Sequence, residues 1–184
     1  MHYRTRTYIA GEWDGDQDAI EQLHKWNDGD KWSLHFVDAH SFKTCYDSSM
    51  PCTIKADLAE RMSRSKTFVL IVGENTTTTR KGSCAYKDCG RRKYSYTSGA
   101  YFCTVPGKTY TSESFINYEC RLAKEAYMVG DMKIVVLYNS TAVYKTKCPE
   151  ILRTIGKHVA MKYHSSYWGK DMFDYAAVRA AIEG

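Results

Sequence analysis

Glu119 is the residue of this sequence whose position is hardest to explain by folding alone. Residues 115–127 predict a helix, and at roughly 100° per residue Glu119 falls near the middle of its apolar arc. Carboxylates are rarely placed on such an arc unless they are paired or used chemically. Two interpretations are open: a structural acid tied to a buried arginine or to backbone N–H groups, or a carboxylate at a cleft wall that burial tunes for chemistry.

A second group of polar residues follows the ends of the first two predicted strands. It consists of Trp13, Asp14, Asp16, Asp38, His40 and Ser41. Taken singly, each has a structural explanation, because the aspartates can shape a turn or cap a helix and His40 can bond to backbone in its loop. The carboxyl ends of parallel strands meet at the edge of the sheet where ligands bind. We therefore expect these side chains to converge with Glu119 at that edge.

Residues 80–113 are rich in cysteine, tyrosine and basic side chains. Cys84, Cys89 and Cys103, followed by Cys120, could hold a structural zinc ion, but their spacing is not a strong finger pattern and free thiols are the favoured interpretation. Residues 80–93 contain six basic residues and one acidic residue, which equals the net charge of +5. We favour a solvated loop or a handle for a partner or one anionic ligand over contact with nucleic acid.

Several common chemistries are excluded because their motifs are missing. Pro106-Gly-Lys-Thr109 resembles the end of a phosphate-binding loop, but Phe102 stands where the earlier glycine is required. The sequence also lacks a dinucleotide-binding Gly-x-Gly-x-x-Gly after its first strand, an aspartate ending the third strand, and a Gly-x-Ser-x-Gly elbow. No cysteine has the spacing to arginine that a cysteine phosphatase needs.

Alternating strands and helices are predicted to position these residues. The predicted strands are 4–10, 32–37, 67–72, 134–138 and a weaker one at 158–163. The first predicted helix is capped by Asp16 or Asp18 and ends at Asn27, and the other helices are 53–63, 115–127 and 172–182. Residues 67–72 are nearly all apolar, which is typical of a central parallel strand covered on both faces. This alternation predicts an α/β flavodoxin-like three-layer sandwich with a parallel sheet in the order 2-1-3-4-5.

The length of 184 residues suits one domain, 1–184, with residues 80–113 as an insertion. No segment approaches the roughly 20 apolar residues of a membrane helix, and the N-terminus has no apolar centre of a signal peptide. We therefore expect a cytoplasmic protein with no membrane partner. Seven cysteines without a secretory context predict reduced thiols or a metal site rather than a disulfide framework.

Short motifs along residues 3–140 carry a family resemblance in their order and spacing. They include Tyr8-Ile-Ala10, Asp14-Gly-Asp16-x-Asp18, Phe36 to Ser41, Asp47-Ser-Ser49, Leu70-Ile-Val-Gly-Glu-Asn-Thr76, Arg80-Lys81 and Asn117-Tyr-Glu119. Together they resemble the small prokaryotic TIR-like family, whose members include the TIR component of Thoeris antiphage defence. In TIR enzymes, a Trp-x-x-x-Glu segment on a helix supplies the catalytic glutamate. Phe115-Ile-Asn-Tyr-Glu119 is similar to it, with Phe in place of Trp.

The resemblance implies that Glu119 is catalytic and that NAD is the substrate, with no further cofactor required. Such enzymes cleave the nicotinamide–ribose bond, and defence members turn the remainder into a cyclic ADP-ribose isomer or a conjugate that signals to a separate effector. Asp38, His40 and Ser41 would lie over the nicotinamide ribose. Tyr8 and Trp13 would wall the pocket, with Asp14 in the same binding set. A homo-oligomer is expected, and a non-catalytic TIR-type interaction module is the alternative.

Overall fold

The computed structural model describes residues 5–12, 15–29, 32, 34, 36–38, 50–85 and 90–184, with Thr5 and Asp38 described by their backbone. In chain order the elements are β1 Thr5–Ala10, α1 Gln17–Asp28, β2 Phe36–Asp38, α2 Pro51–Ser63, β3 Thr67–Val72, β4 Arg92–Ser95, β5 Ala100–Cys103, α3 Phe115–Met128, β6 Lys133–Tyr138, β7 Lys157–Ala160, β8 Lys162–Ser165, β9 Lys170–Phe173 and α4 Tyr175–Glu183. Two 3-10 turns, Lys145–Lys147 and Glu150–Leu152, lie between β6 and β7.

Five of the strands in the described residues form an all-parallel sheet in the order β2-β1-β3-β6-β7. Because β6 and β7 are the fourth and fifth strands of this sheet, the predicted order 2-1-3-4-5 and the flavodoxin-like fold class are confirmed. The strand β3 is buried along its whole length. It pairs with β1 on one side and β6 on the other, as the apolar run in the sequence predicted.

The sheet is covered on both faces, and each face has its own apolar core. One core contains Tyr8, Phe68 and Ile134 together with side chains of α2 and α3. The other contains Val69 and Ile71 together with side chains of α1 and α4. Successive side chains of a strand point to opposite faces, so β3 contributes alternate residues to the two layers. Glu119 belongs to the helix that covers the first of these cores.

The start of α3 is fixed by contacts that also set the position of Glu119. The side chain of Ser114 caps the helix by accepting a hydrogen bond from the N–H of Asn117. The N–H of Phe115 donates to the carbonyl oxygen of Lys81. Gly82 has a φ of +88°, and a Cβ there would lie 2.3 Å from the Phe115 ring. Only glycine therefore lets the chain at residue 82 pass so close to the helix start.

The C-terminal region differs from the sequence prediction. The predicted strand 158–163 is two elements, because β7 ends at Ala160 and β8 leaves the sheet to pair antiparallel with β9. Residues 172 and 173 therefore belong to a strand, and the last helix begins at Tyr175 with Asp174 as its cap. A second antiparallel hairpin, β4–β5, lies inside the 80–113 segment and was not predicted. In the described part of the chain, no helix is long and apolar enough to cross a membrane.

Candidate functional site

Glu119 lies in the second turn of α3 and points into the core beneath β1. Its side chain is 5% exposed. The hydroxyl of Tyr8 donates a hydrogen bond of 2.5 Å to Oε1 of Glu119, and Tyr8 itself is fully buried and stacked on Phe68. Among the described residues, no donor other than Tyr8 bonds to this carboxylate. The site therefore has a buried acid held by one neutral hydroxyl.

Burial raises the pKa of Glu119 to about 7. The hydrogen bond from Tyr8 and the positive charge of Arg61 favour the ionised form, but they do not cancel the cost of desolvation. One interpretation of the sequence was that Glu119 is a structural acid bonded to an arginine or to backbone N–H groups. The hydrogen bond that the structure shows is instead with a tyrosine, Tyr8. A carboxyl group with a pKa near neutrality can exist in either state at physiological pH, which is typical of functional acids.

Tyr8 was expected to wall a substrate pocket, and the structure places it deeper than that. It has no exposed surface, and its contact with the candidate site is the hydroxyl on Glu119. Its backbone lies two residues before the end of β1. At about 3.3 Å per residue, the Tyr8–Glu119 pair therefore lies about 7 Å below the carboxyl edge of the sheet.

The expected ribose-binding residues are described only in part. The backbone of Asp38 pairs with Thr7, so β2 ends beside the residue that precedes Tyr8 in β1. His40 and Ser41 lie outside the described residues, as do Trp13 and Asp14. Their predicted roles over the nicotinamide ribose stay predictions. What the register does establish is that the backbone of Asp38, the last residue of β2, lies beside Thr7, the neighbour of Tyr8 in β1.

Asp16 forms a separate polar cluster at the carboxyl edge. It is 1% exposed and lies against Gly73, where a Cβ would come within 2.0 Å of its Oδ1. Nδ2 of Asn139 donates to Asp16 Oδ1 at 3.2 Å and to Asp18 Oδ1 at 2.9 Å. Burial raises the pKa of Asp16. Oδ2 of Asp16 and Oδ1 of Asn139 are buried without a hydrogen-bond partner in the described part of the chain.

An ion pair that no local pattern in the sequence predicts connects the end of β1 to the start of α3. Glu12 is 7% exposed, and its Oε1 bonds to Nζ of Lys81 at 3.0 Å. The backbone carbonyl of Lys81 accepts the N–H of Phe115 at the start of α3. The 69 residues that separate Glu12 from Lys81 explain why no local pattern could reveal the pair. It joins the strand that carries Tyr8 to the helix that carries Glu119.

The cysteine candidates for zinc are not gathered in the described residues. Cys84 and Cys120 are buried and Cys103 is half-buried, each as a free thiol. No group of three or more His, Cys, Asp or Glu placed to hold a metal ion occurs within the described ranges. Cys89 lies outside them. The zinc hypothesis thus gains no support from the other three thiols, and burial raises the pKa of Cys120, which disfavours the thiolate.

A depression of about 470 Å³ lies near the same edge of the sheet, on another side of α3. It is lined by Thr77, Asn117, Pro149, Glu150 and Ile151. Asn117 precedes Glu119 by two residues, and on a helix two such side chains point roughly 200° apart. The depression is therefore distinct from the Tyr8–Glu119 pair.

Comparison with protein families gives one match. Residues 8–81 match the model of a family described as Thoeris protein ThsB, TIR-like domain. The matched region begins at Tyr8 and includes 13, 14, 38, 40 and 41, and it ends before α3 and Glu119. The comparison with curated proteins returned no match.

Proposed function

We propose that this chain, whose residues 8–81 match the model of the TIR-like domain of the Thoeris protein ThsB, is an NAD-consuming enzyme of antiphage defence. Glu119 is the proposed catalytic carboxylate. The observation that carries the proposal is its setting, because a buried acid bonded to a tyrosine hydroxyl, with a pKa of about 7, is poorly suited to a purely structural role. The resemblance of the Phe115-x-x-x-Glu119 segment to that of TIR enzymes supports the same assignment.

The proposed reaction needs one carboxylate rather than two. In NAD the nicotinamide is already cationic, so when the C1′–N bond breaks the electron pair leaves with the ring and neutralises it. No general acid is needed, in contrast to an ordinary glycoside. Positive charge develops on the ribose, and an ionised Glu119 bonded to the 2′- and 3′-hydroxyls would stabilise it. A low-dielectric setting strengthens that interaction.

The fate of the ribosyl cation decides the product. Attack by an internal nucleophile of the bound nucleotide gives a cyclic ADP-ribose isomer, attack by an outside molecule gives a conjugate, and attack by water gives free ADP-ribose. In this proposal the product is a second messenger that reaches a separate effector by diffusion. The protein acts as a homo-oligomer in the cytoplasm, and it consumes NAD as a substrate without a further cofactor.

Tyr8 is the proposed positioning residue for Glu119. Its ring is fixed by burial and by stacking on Phe68, so its hydroxyl holds Oε1 in one place. The other carboxylate oxygen is then left for the sugar. In this proposal Asp38, His40 and Ser41 contact the ribose, Trp13 walls the pocket and Asp14 also binds the substrate. The register supports the position of Asp38 alone, since it ends β2 beside Thr7.

The direct test is nicotinamide release from NAD by the purified protein, alone and with lysate of phage-infected cells. We expect Glu119→Gln to lower the rate by at least 100-fold, because the amide cannot balance the cationic transition state. Glu125→Gln is the matched control, since Glu125 lies on the exposed face of the same helix in an ion pair with Arg121. Mass spectrometry of the nucleotide identifies the product. An unchanged rate in Glu119→Gln would remove Glu119 from the mechanism.

The second candidate is a non-catalytic TIR-type interaction module. It is favoured by the small exposed fraction of Glu119, 5%, which restricts access to the carboxylate. This candidate predicts no nicotinamide release with any trigger. It also predicts that Glu119→Gln leaves partner binding intact while charge reversal at Arg91 and Arg92 abolishes it.

A further inference from the structure

The hairpin β4–β5 presents a row of tyrosine rings that the proposed enzymatic reaction does not use. Tyr94 and Tyr101 are opposite each other in the register, with ring centroids 5.1 Å apart. Tyr96 packs on Tyr94 at 5.3 Å, and Tyr110 stacks on Tyr101 at 5.7 Å. The guanidinium of Arg92 lies 5.1 Å from the centroid of Tyr101. These five residues are called the tyrosine surface below.

Three of the four rings of the tyrosine surface are exposed to solvent, and Tyr110 is half-buried. Tyr96 is 92% exposed, Tyr101 is 47% exposed and Tyr94 is 44% exposed. Burying large aromatic side chains is energetically favourable. A contiguous row of them left in water is therefore typical of a binding surface. The row includes rings on both strands of the hairpin and the ring of Tyr110 beyond it. It therefore offers several adjacent contact points along one direction.

The segment of sequence that contains the tyrosine surface is basic. Residues 90–112 contain four basic residues and no acidic residue, the basic ones being Arg91, Arg92, Lys93 and Lys108. Arg91, Lys93 and Lys108 are exposed. An excess of basic over acidic side chains attracts an anionic ligand and repels a cationic one. The occupant must therefore combine negative charge with groups that pack on aromatic rings.

The second hairpin, β8–β9, is built in the same way but carries a different charge pattern. Both turns end in a glycine of positive φ, Gly99 at +64° and Gly169 at +59°. In both, a serine side chain accepts an N–H three residues later, Ser95 in the first and Ser165 in the second. The second hairpin also has an 84% exposed tyrosine, Tyr167. It differs because an acidic residue, Asp171, lies on β9 and pairs with His164 at 2.9 Å.

We propose that the tyrosine surface binds single-stranded nucleic acid without sequence preference. Bases stack on aromatic rings whatever their identity, and the basic side chains that flank a row of rings contact the phosphates. An acidic peptide matches the charge but not the row of rings. For the basic residues of 80–93, the sequence alone favoured a solvated loop or a handle for a partner or for one anionic ligand. The continuous ring contacts and their exposure are what the structure adds.

The test is fluorescence anisotropy of the full-length protein with three labelled probes at 50 mM salt. The probes are a 20-nucleotide thymidine strand, an abasic strand of the same length and charge, and a 20-residue polyglutamate. We expect the thymidine strand to bind at least tenfold more tightly than the other two. With four basic residues in contact, the slope of log K against log salt is about −3, at roughly −0.7 for each phosphate neutralised on a single strand.

Variants separate stacking from charge. Tyr96→Ala is expected to weaken binding of the thymidine strand at least fivefold and to leave the abasic strand unaffected, whereas Arg91→Gln with Lys93→Gln reduces binding of both strands and flattens the salt slope. Tyr167→Ala is the matched control and is expected to change nothing. Each variant alters exposed side chains, so circular dichroism is expected to show an unchanged fold.

Three results would overturn the proposal. They are equal affinity for the thymidine and abasic strands, equal affinity for polyglutamate, and an equal loss of binding in Tyr96→Ala and Tyr167→Ala. Absence of binding to all three probes at 50 mM salt would do the same. None of these measurements depends on nicotinamide release. The tyrosine surface and the proposed enzymatic function are therefore tested independently of each other.

Discussion

At the scale of single residues, the hydrogen bond between Tyr8 and Glu119 modifies the ionisation of an acid whose pKa is raised mainly by burial. The bond favours the charged carboxylate and so opposes the effect of burial. The proposed chemistry uses the ionised form, since only a negative charge can balance the ribosyl cation. Turnover is therefore expected to rise with pH through about 7, where half of Glu119 is ionised.

Tyr8→Phe tests this control directly. The variant keeps the ring and its stacking on Phe68 but removes the O–H donor. A hydrogen bond contributes about 0.5–1.5 kcal/mol, and 1.36 kcal/mol corresponds to one pKa unit. The acidic limb of nicotinamide release is therefore expected to move upward by roughly half to one pH unit. The measurement is the pH profile of kcat/KM.

The control for Tyr8→Phe is Tyr127→Phe at the exposed end of the same helix, where no change in the profile is expected. Direct titration of the Glu119 carboxyl by infrared spectroscopy of both proteins gives the same comparison without turnover. If Tyr8→Phe lowered the rate equally at all pH values, Tyr8 would act only on packing and not on ionisation.

Asp16 provides a second prediction at this scale. Its buried Oδ2 and Oδ1 of Asn139 are both acceptors without donors in the described part of the chain, although one hydrogen bond already joins the two side chains. Asp16→Asn can place an N–H where Oδ2 stands and removes a buried charge. An unsatisfied buried polar group costs about 1–3 kcal/mol. We therefore expect a higher melting temperature for Asp16→Asn at pH 8.

Two companion variants make the Asp16 experiment decisive. Asp16→Ala breaks the hydrogen bond with Asn139 and leaves a void, so its melting temperature is expected to fall. Asp131→Asn changes the same functional group at an exposed position and is expected to have no effect. A melting temperature of Asp16→Asn below that of the native chain would mean that the carboxylate is charged and satisfied.

At the scale of elements, the approach of residue 82 to the start of α3 is the contact most sensitive to a small change. Gly82→Ala forces a Cβ to within 2.3 Å of the Phe115 ring at a φ of +88°. Strain at such a φ costs of order 1–3 kcal/mol, and the steric clash adds to it. We expect lower stability and slower nicotinamide release, because the helix that carries Glu119 must shift. Thermal unfolding and the NAD assay measure the two effects.

Gly107→Ala isolates the steric part of that prediction. Gly107 also has a positive φ, +71°, but a Cβ there would meet nothing within 4 Å. The Gly107→Ala variant is therefore expected to lose stability only through backbone strain and to release nicotinamide at the native rate. Equal losses in the two variants would show that the contact between Gly82 and Phe115 does not position α3.

The elements that the sequence predicted well are those whose signal is local. The strand 67–72 has the predicted bounds, and α3 runs one residue beyond the predicted end, because an unbroken apolar run and a 3.6-residue period are visible in the chain itself. The end of β7 was missed for a tertiary reason. The N–H of Met161 donates to the carbonyl oxygen of Tyr138, and Met161 is fully buried. The chain departs from the sheet at this residue.

The candidate site was predictable in part for the same reason. The helical period identified Glu119 as an acid among apolar neighbours, and the structure gives it the expected burial. Its partner could not be identified, because Tyr8 is 111 residues away and the bond depends on how α3 packs over β1. The same holds for Glu12 and Lys81. Patterns report which face of an element is buried, whereas pairings between elements depend on the assembled sheet.

At the scale of the whole molecule, titratable groups whose pKa values burial shifts in opposite directions set a pH of maximum stability. Burial lowers the pKa of His158, so the folded state loses stability as the pH falls and the imidazole must be protonated. Burial raises the pKa of Glu119 and of Asp16, so the stability that these acids contribute when protonated is lost as the pH rises. For Glu119 this loss extends from about pH 4.5 to about 7.

The alkaline side of that profile is the last prediction. Since the pKa of Glu119 is raised from 4.5 to about 7, its ionisation costs the folded state up to about 3 kcal/mol above pH 7. Glu119→Gln removes this cost while its amide oxygen can still accept the Tyr8 hydroxyl, so it is expected to be more stable than the native chain at pH 8.5. At pH 4.5 the two proteins are expected to differ little. Urea unfolding at both pH values measures the difference, with Glu125→Gln as the exposed control. A Glu119→Gln variant less stable than the native chain at pH 8.5 would instead mean that the charged carboxylate holds the fold together, as a purely structural acid does.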